Sequence, residues 1–197
     1  MKVGLLRRAH QRSRAWIALY GARIQSKERA RQLVFRRVLV LCYGNIYRSP
    51  LVAMLLRNAI GNRIGMEIRS AGFFGQSGRV SPGDYVEYVR NRTGWDLQGH
   101  RSHTVSREDL EWADSIIIMD RHNWHSVARA APNCTSRVIW LGAFLPSGSP
   151  EIVDPYGRSE LELHENVDRL IVASTVLAEH IVQTYETRAH ASIEREE

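Results

Sequence analysis

Hydrophobic and polar positions along the chain form a pattern in which short apolar runs alternate with segments of helical periodicity. The apolar runs predict strands at residues 38–41, 66–71, 116–119 and 137–141. Helical spacing predicts helices at residues 51–60, 84–93, 121–130 and 161–187. Gly61 and Gly94 are expected to end the first two helices. Strands that alternate with helices predict an α/β fold, in which a parallel sheet is covered by helices on both faces.

The junction between the first strand and the first helix carries the candidate chemistry. Cys42 ends the apolar run, while Ser49 and Pro50 are typical of a helix N-cap and a first helical residue. Such a turn directs several backbone N–H groups into one concavity at the positive end of a helix dipole, and Gly44 allows close approach. A phosphate dianion fits there, and the same surroundings favour the thiolate form of Cys42. Residues 42–48 are therefore predicted to form a phosphate-binding loop that contains its own nucleophile.

Arg48, six positions after Cys42, supplies a planar fork that can bind two phosphoryl oxygens at once. An isolated cysteine is more often a small buried hydrophobic residue, and that alternative applies to Cys42 as well. A Cys-x5-Arg spacing alone is weak. Gly-Asn within the spacing and Ser-Pro after it make the combination specific.

These residues resemble the active-site signature of the low-molecular-weight protein tyrosine phosphatase family, Cys-x-Gly-Asn-x-x-Arg-Ser. The resemblance continues through four further motifs and covers about 150 residues, from Arg37 to near Tyr185. The motifs are Arg69-Ser-Ala-Gly, Asp96-Leu-x-Gly-His-Arg-Ser, Ala113-Asp-x-Ile-Ile-Ile-Met-Asp and Val153-Asp-Pro-Tyr. The resemblance implies a three-layer sandwich with a four-stranded parallel sheet and the loop after the first strand. It also implies a hydrolase that acts on phosphotyrosine through a cysteinyl phosphate, without metal or other cofactor.

The family resemblance assigns three catalytic residues: Cys42 as nucleophile, Arg48 as phosphate ligand, and Asp154 as general acid and then base. Pro155 restricts Asp154 to an extended backbone, although an Asp-Pro pair alone is also a common turn former. Asp120 is the competing carboxylate. Its position directly before Arg121 suits helix capping and support of the site better.

The remaining candidate residues surround these three. The loop positions expected to bind phosphate are Tyr43, Gly44, Asn45, Ile46, Tyr47 and Ser49. By resemblance, Asn45 also holds the loop through backbone hydrogen bonds, and His100 supports it, with a surface histidine as the alternative. Phe74, Tyr156 and also Phe73 are candidates for apolar walls that favour flat phenyl phosphates, or for ordinary packing.

Two positions depart from the family pattern. Tyr47 stands where many members carry a second cysteine, so Cys42 lacks a neighbouring thiol that could trap it as a disulfide, unless Cys134 comes near. His103 stands where an arginine is common.

With only two cysteines, the three-thiol relay of arsenate reductases is excluded. Two alternatives remain. One is a protein arginine phosphatase of the same fold, although Ile46 resembles the tyrosine-directed branch. The other is a non-catalytic phospho-ligand-binding module.

Charge divides the 197-residue chain unevenly. Residues 1–37 hold 11 Lys or Arg against Glu28, whereas the remainder is acidic, with 16 basic and 20 acidic residues. The expected divisions are a basic, helical extension at 1–36, a phosphatase domain at 37–187 and a polar tail at 188–197.

The extension could lie on an anionic membrane surface, bind nucleic acid, which is the least favoured, or simply pack on the domain. Few cysteines and no membrane-spanning run or secretory signal indicate a cytoplasmic protein, peripheral to the membrane if the extension binds lipid. The oligomeric state and the physiological substrate stay open.

Overall fold

The structure of the protein, a computed structural model, describes residues 18–61 and 64–193, excepting the side chains of 190–193. Within these residues four parallel strands form one sheet in the order β2-β1-β3-β4. The strands are β1 Arg37–Cys42, β2 Glu67–Gly72, β3 Ser115–Ile118 and β4 Val138–Trp140. The predicted α/β fold with a four-stranded parallel sheet is therefore confirmed.

Helices occupy the segments between and after the strands. They are α1 at 18–32, α2 Arg48–Ile60, α3 Gly83–Thr93, α4 Arg107–Trp112, α5 Arg121–Ala130 and α6 Glu160–Ile193. The predicted glycine stops hold, since Gly61 and Gly94 cap α2 and α3, and Gly94 adopts the left-handed conformation that favours glycine (φ 77°). α6 continues beyond residue 187, into the segment expected to be a polar tail.

The connections place a crevice between β1 and β3. From β1 the chain crosses to β2 on one side, and from β3 it crosses to β4 on the other side. Open α/β sheets bind ligands where the strand order reverses in this way, beyond the carboxyl ends of the strands. The core strand β1 ends at this point, with residues 38–41 fully buried and Cys42 next in the chain.

The start of α2 differs from the prediction. The N-cap position is Tyr47, without a side-chain capping bond, and α2 begins at Arg48, so Ser49 is already inside the helix. Its hydroxyl group lies near the Cys42 thiol instead of capping the helix (Oγ to Sγ 3.1 Å). The prediction of Ser49 as N-cap was therefore wrong, because the loop uses this hydroxyl within the site.

The described part of the basic extension packs against the open edge of the sheet. In α1, Ser26 Oγ accepts a hydrogen bond from the Trp140 backbone N–H of the edge strand β4 (3.0 Å). Arg23 donates to the carbonyl groups of Leu145 (2.6 Å) and Gly148 (2.8 Å). Covering an edge strand satisfies polar backbone groups that would otherwise invite pairing with another chain. Residues 1–17 of the extension lie outside the described residues.

Across the residues that the structure describes, no helix combines enough length with enough apolar character to span a membrane.

Candidate active site

A cavity of about 340 Å³ opens at the carboxyl end of the sheet, with Cys42 in its lining. Its lining residues come from the loop after β1, the loop after β2 and the segment before α6. They are Cys42, Tyr43, Gly44, Ile46, Tyr47, Phe74, Arg79, Asp154 and Tyr156. Cys42 and Asp154, which are 112 positions apart in the sequence, therefore line the same cavity.

The Cys42 thiol is surrounded by hydrogen-bond donors. Its side chain is only 2% exposed. The Asn45 backbone N–H donates to Cys42 Sγ (3.2 Å), and Ser49 Oγ lies 3.1 Å from the same sulfur. Because α2 begins directly after the loop, its N-terminal dipole acts in the same direction as these donors. A backbone N–H, a hydroxyl group and a helix N-terminus therefore all lie at this sulfur.

Asn45 holds the loop in shape. It has a positive φ of 50°, a conformation that asparagine tolerates better than most residues. Its Nδ2 donates to Ser49 Oγ (2.9 Å) and Ser70 Oγ (3.0 Å), and its Oδ1 accepts from the His103 backbone N–H (2.8 Å). Asn45 thus ties the loop to the helix that follows and to the neighbouring strand β2.

His100 lies against the same part of the loop. Its Nε2 is 2.7 Å from the Asn45 carbonyl oxygen, so the neutral ring donates from Nε2. Burial lowers the pKa of His100. The structure thus brings His100 and Asn45 together, as the family resemblance implied.

The end of β2 requires glycine at position 72. A Cβ atom there would lie 2.6 Å from the Tyr43 carbonyl oxygen and 2.8 Å from the Asn45 backbone nitrogen. Since the loop of residues 42–48 passes this close to β2, any side chain at Gly72 would displace it. The next segment is also tied to the loop, because the Phe74 N–H donates to the Tyr43 carbonyl group (3.0 Å).

Arg48 is almost completely buried, at 1% exposure, and its guanidinium group joins two carboxylates. Nη1 donates to Asp120 Oδ2 (2.6 Å) and to the Ile152 carbonyl group (3.0 Å), while Nη2 donates to Asp154 Oδ2 (2.5 Å). Burial would lower the pKa of Arg48, but the negative charges of Cys42, Asp154 and Asp120 raise it. Arg48 Nε is buried and has no hydrogen-bond partner among the described residues. One N–H group beside the thiol loop is thus left without an acceptor.

The two candidate carboxylates occupy different positions. Asp120 caps α5, since its Oδ1 accepts from the Asn123 N–H (2.9 Å), and its other oxygen binds Arg48. The predicted capping position is therefore the one observed. Asp154 lies in the cavity lining and is partly exposed.

Several backbone contacts position the segment that carries Asp154. The Ile152 N–H donates to the Met119 carbonyl group at the end of β3 (2.8 Å), and Asn166 in α6 donates to the Val153 carbonyl group (2.7 Å). Asp154 Oδ1 accepts from the Tyr156 backbone N–H (3.2 Å). A strand end and a helix together therefore hold this segment against the cavity.

Aromatic and aliphatic side chains form the walls of the cavity. Tyr43 and Phe74 pack edge to face with ring centroids 5.9 Å apart, and Tyr156 stands at the mouth with 74% of its surface exposed. Ile46 and Tyr47 complete the apolar lining. Phe73, the other wall candidate, packs against the core instead and does not line the cavity.

Three residues near the site were not found from the sequence. Tyr85 in α3 is fully buried, and its hydroxyl group donates to the Tyr47 carbonyl group (2.9 Å). Burial raises the pKa of Tyr85 well above its usual range. Ser70 belongs to the Arg69-Ser-Ala-Gly motif, which was a signal for it, whereas nothing in the residue pattern pointed to Tyr85 or to Arg79.

The other cysteine is far from the site in the topology. Cys134 precedes β4 and contacts the Leu110 carbonyl group, which precedes β3 (Sγ to O 3.6 Å), so it lies toward the amino end of the sheet. Cys42 lies at the carboxyl end of the same parallel sheet.

His103, the second departure from the family pattern, pairs with Asp109 (Nε2 to Oδ2 2.8 Å). Within the described ranges, no group of three or more His, Cys, Asp or Glu side chains is arranged to hold a metal ion.

The fold and the site together define a class of protein: an α/β enzyme whose oxyanion-binding loop follows the first strand and contains a cysteine. Comparison with known proteins gives the family. Residues 37–187 match the family model described as low molecular weight phosphotyrosine protein phosphatase. The chain belongs to this family and is a phosphatase.

Curated relatives include two kinds of phosphatase. The chain is 28% identical to a protein-arginine-phosphatase of Geobacillus stearothermophilus, over 68% of this chain and 93% of that protein. It is 31% identical to the low molecular weight protein-tyrosine-phosphatase Etp of Escherichia coli K12, over 66% of this chain and 83% of that protein.

Solved structures divide in the same way. The YwlE arginine phosphatase from Geobacillus stearothermophilus superimposes with a TM-score of 0.68 at 27% identity, covering 78% of this chain and 96% of that one. The tyrosine phosphatase Wzb from Escherichia coli K30, in complex with sulphate, gives a TM-score of 0.66 at 27% identity, covering 74% of this chain and 98% of that one. The expectations of family, fold and enzyme class are confirmed.

Proposed function

We propose that the protein hydrolyses phosphotyrosine in proteins through a cysteinyl-phosphate intermediate. The observation that carries this proposal is a cavity lined by both a thiol and a carboxyl group, with the buried guanidinium group of Arg48 bonded to that carboxyl group. Phosphoryl transfer needs these three functions, namely a nucleophile, stabilisation of the equatorial oxygens and a proton for the leaving group.

In the first step the Cys42 thiolate attacks phosphorus in line with the tyrosyl oxygen. The S–P bond forms, the P–O bond breaks, and Asp154 transfers its proton to the leaving phenolate. Arg48 Nε, which has no partner in the described structure, is an open donor for a phosphoryl oxygen. Arg48 Nη2 becomes a second donor when the phosphate dianion replaces the Asp154 carboxylate.

In the second step Asp154 is ionised and accepts a proton from water, which attacks the cysteinyl phosphate. The S–P bond breaks, and phosphate leaves with the thiolate restored. Ser49 Oγ, 3.1 Å from the sulfur, and the Asn45 N–H stabilise the departing thiolate as they stabilised the attacking one.

The lining favours phosphotyrosine over phosphoarginine. Ile46 and the rings of Tyr43, Phe74 and Tyr47 offer apolar surface that suits a flat phenyl ring. A phosphoarginine side chain brings a polar guanidinium group, which needs acceptors. Arg79 adds a cation to the lining instead.

The test is a comparison of kcat/KM for phosphotyrosine and phosphoarginine in otherwise identical peptides. We expect phosphotyrosine to be the better substrate, and Cys42→Ser to turn over neither. Higher kcat/KM for phosphoarginine would establish the arginine phosphatase alternative. Binding without hydrolysis by the unmodified protein would establish the non-catalytic module.

We further propose that the protein works in the cytoplasm and associates with anionic membrane surfaces through residues 1–36. Tyr20, Ile24, Lys27 and Arg31 follow one another at helical spacing along α1, and all four are exposed. Residues 1–17 add five Lys or Arg and no acidic residue. Exposed apolar side chains next to cations are the combination that binds anionic lipid.

Because Ser26 binds the edge strand β4 and Arg23 binds the segment that follows it, deleting all of 1–36 would damage the fold as well as remove the proposed surface. The double variant Lys27→Gln with Arg31→Gln changes only exposed side chains, so it tests lipid binding more specifically than the deletion does. We expect it to reduce flotation with phosphatidylserine vesicles, with no change for neutral phosphatidylcholine vesicles. The control is Arg107→Gln, an exposed arginine of α4. Equal flotation of variant and parent would contradict the lipid proposal.

A further inference from the structure

Arg79 lines the candidate active site but has no role in the chemistry proposed above. It lies in the loop between β2 and α3, and its guanidinium group stacks over the Phe74 ring, with Cζ 4.1 Å from the centroid. One nitrogen, Nη2, donates to the Gly44 carbonyl group of the phosphate-binding loop, and Nε donates to the Gln76 carbonyl group (3.2 Å). The side chain is therefore held in a defined place beside the cavity.

The backbone of Arg79 is held as well. Its N–H donates to Ser102 Oγ (3.0 Å), and its carbonyl group accepts from the Ser102 N–H (2.8 Å). A charged group that is positioned before binding loses less conformational entropy when it meets a ligand. Arg79 is thus prepared for binding and does not need to be ordered by the substrate.

Arg79 has no counter-charge among the residues that the structure describes. Arg48, the other cation near the thiol, is bonded to two carboxylates, whereas no carboxylate among the described residues lies within ion-pair distance of Arg79. Its Nη1 forms no hydrogen bond within the described part of the chain. An arginine stacked on an aromatic ring still presents its N–H edge to a planar anion.

The lining is therefore electrostatically uneven. Arg79 and Phe74 make one part positive. Near Tyr47 the carboxylates of Asp84 and Asp154 add negative charge, and after burial they are the next causes that raise the pKa of Tyr47. A substrate that carries an acidic group on one side of the reacting residue would match this unevenness.

We propose that Arg79 is a specificity-determining residue that binds the carboxylate of an Asp or Glu side chain adjacent to phosphotyrosine in the substrate. This inference rests on the proposed function and adds the class of sequence that the enzyme prefers. The phosphoryl group itself is held by the Cys42 loop, so Arg79 is left to bind a neighbouring group at the cavity.

The experiment uses phosphotyrosine peptides that differ only in having Glu, Gln or Lys next to phosphotyrosine, placed before it in one series and after it in another. For the parent protein we expect kcat/KM to be about 5-fold higher for the Glu than for the Gln peptide in one series. The ratio should shrink as salt concentration rises. Arg79→Gln should bring the ratio to one, and Arg79→Glu should reverse the preference towards the Lys peptide.

The matched control is Arg69→Gln. Arg69 also stacks on an aromatic ring, with Cζ 3.9 Å from the Trp112 centroid, but it does not line the cavity. This variant should keep the parental Glu to Gln ratio.

Two results would overturn the inference. If Arg79→Gln and Arg79→Glu lower kcat/KM equally for all peptides and leave the ratios unchanged, Arg79 only supports the loop through Gly44. If the parent protein shows no preference in either series, no acidic neighbour is recognised. Both results leave the proposed function standing, whereas failure to hydrolyse any peptide or phenyl phosphate would overturn both.

Discussion

The phosphate-binding loop and the segment that carries Asp154 meet in one cavity but are built differently. In the loop, Cys42, Asn45 and Ser49 are buried and bonded to one another, so the thiol site exists before any substrate arrives. In the other segment Val153 is 56% exposed, and Asp154 is bonded to Arg48, the residue proposed to bind the phosphate. In the proposed mechanism the nucleophile is therefore preorganised, whereas the acid must exchange its partner during the reaction.

The largest effect should come from breaking the loop at its nucleophile. Cys42→Ser replaces a thiolate by a hydroxyl group that stays protonated at neutral pH, so turnover of p-nitrophenyl phosphate should be abolished. The N–H groups and Arg48 are unchanged, so vanadate or phosphate should still bind, as measured by calorimetry. Measurable turnover by the serine variant would remove Cys42 from the mechanism.

A smaller effect is expected from the Asp154 segment. Asp154→Ala removes the proton donor of the first step and the base that activates water in the second, and kcat for p-nitrophenyl phosphate should fall by about 10² to 10⁴, mainly through the second step because this leaving group needs little protonation. Oxyanion affinity should be kept or increased, because Arg48 Nη2 loses the carboxylate that competes with phosphate. Asp154→Asn is the isosteric control for shape. A kcat close to the parental value in both variants would assign the acid role elsewhere.

Oxidation of Cys42 by peroxide should inactivate the protein irreversibly. Position 47, directly before Arg48, is not a cysteine, and Cys134 lies towards the opposite end of the sheet. No second thiol is therefore close enough to trap oxidised Cys42 as a disulfide. After brief peroxide treatment, dithiothreitol should fail to restore most activity. Tyr47→Cys should raise the recovered fraction, and full recovery of the unmodified protein would refute the prediction.

The smallest effect concerns the support of the loop by His100. Burial lowers the pKa of His100 below its usual 6.5 in the folded protein. As pH falls below about 6.5 the unfolded chain takes up a proton that the folded protein resists, so the free energy of unfolding should decrease. His100→Gln should flatten this decrease in urea unfolding measured from pH 7 to 5. Identical slopes for variant and parent would show that His100 titrates alike in both states.

The same contrast explains how much the sequence could predict. Strands such as 38–41 and the loop after them follow from local pattern, because the apolar run, Gly44 and Arg48 lie within a few residues of one another. Asp154 needed the family resemblance, since its partner Arg48 is 106 positions away. The pattern predicts Ser49 both as a helix cap and as a residue of the loop site; α2 already begins at Arg48, and the Ser49 hydroxyl lies at the Cys42 sulfur.

Tertiary contacts account for the remaining differences. Arg79, Tyr85 and the packing of α1 on β4 depend on segments that are distant in sequence, through Gly44, Tyr47 and Trp140 respectively. Helical periodicity in the extension indicates a helix, but it does not indicate that this helix packs on β4. Such contacts become visible only when the sheet brings the segments together.

The central claim is that the Cys42 sulfur becomes covalently phosphorylated. The most direct measurement is rapid acid quenching of Asp154→Ala with p-nitrophenyl phosphate, a substrate whose leaving group needs little protonation, followed by mass spectrometry of the peptide that contains Cys42. The account predicts one added phosphoryl group on Cys42, and none in the double variant that also carries Cys42→Ser. An unmodified Cys42 under conditions of continuing turnover, or a phosphoryl group on another residue, would contradict it.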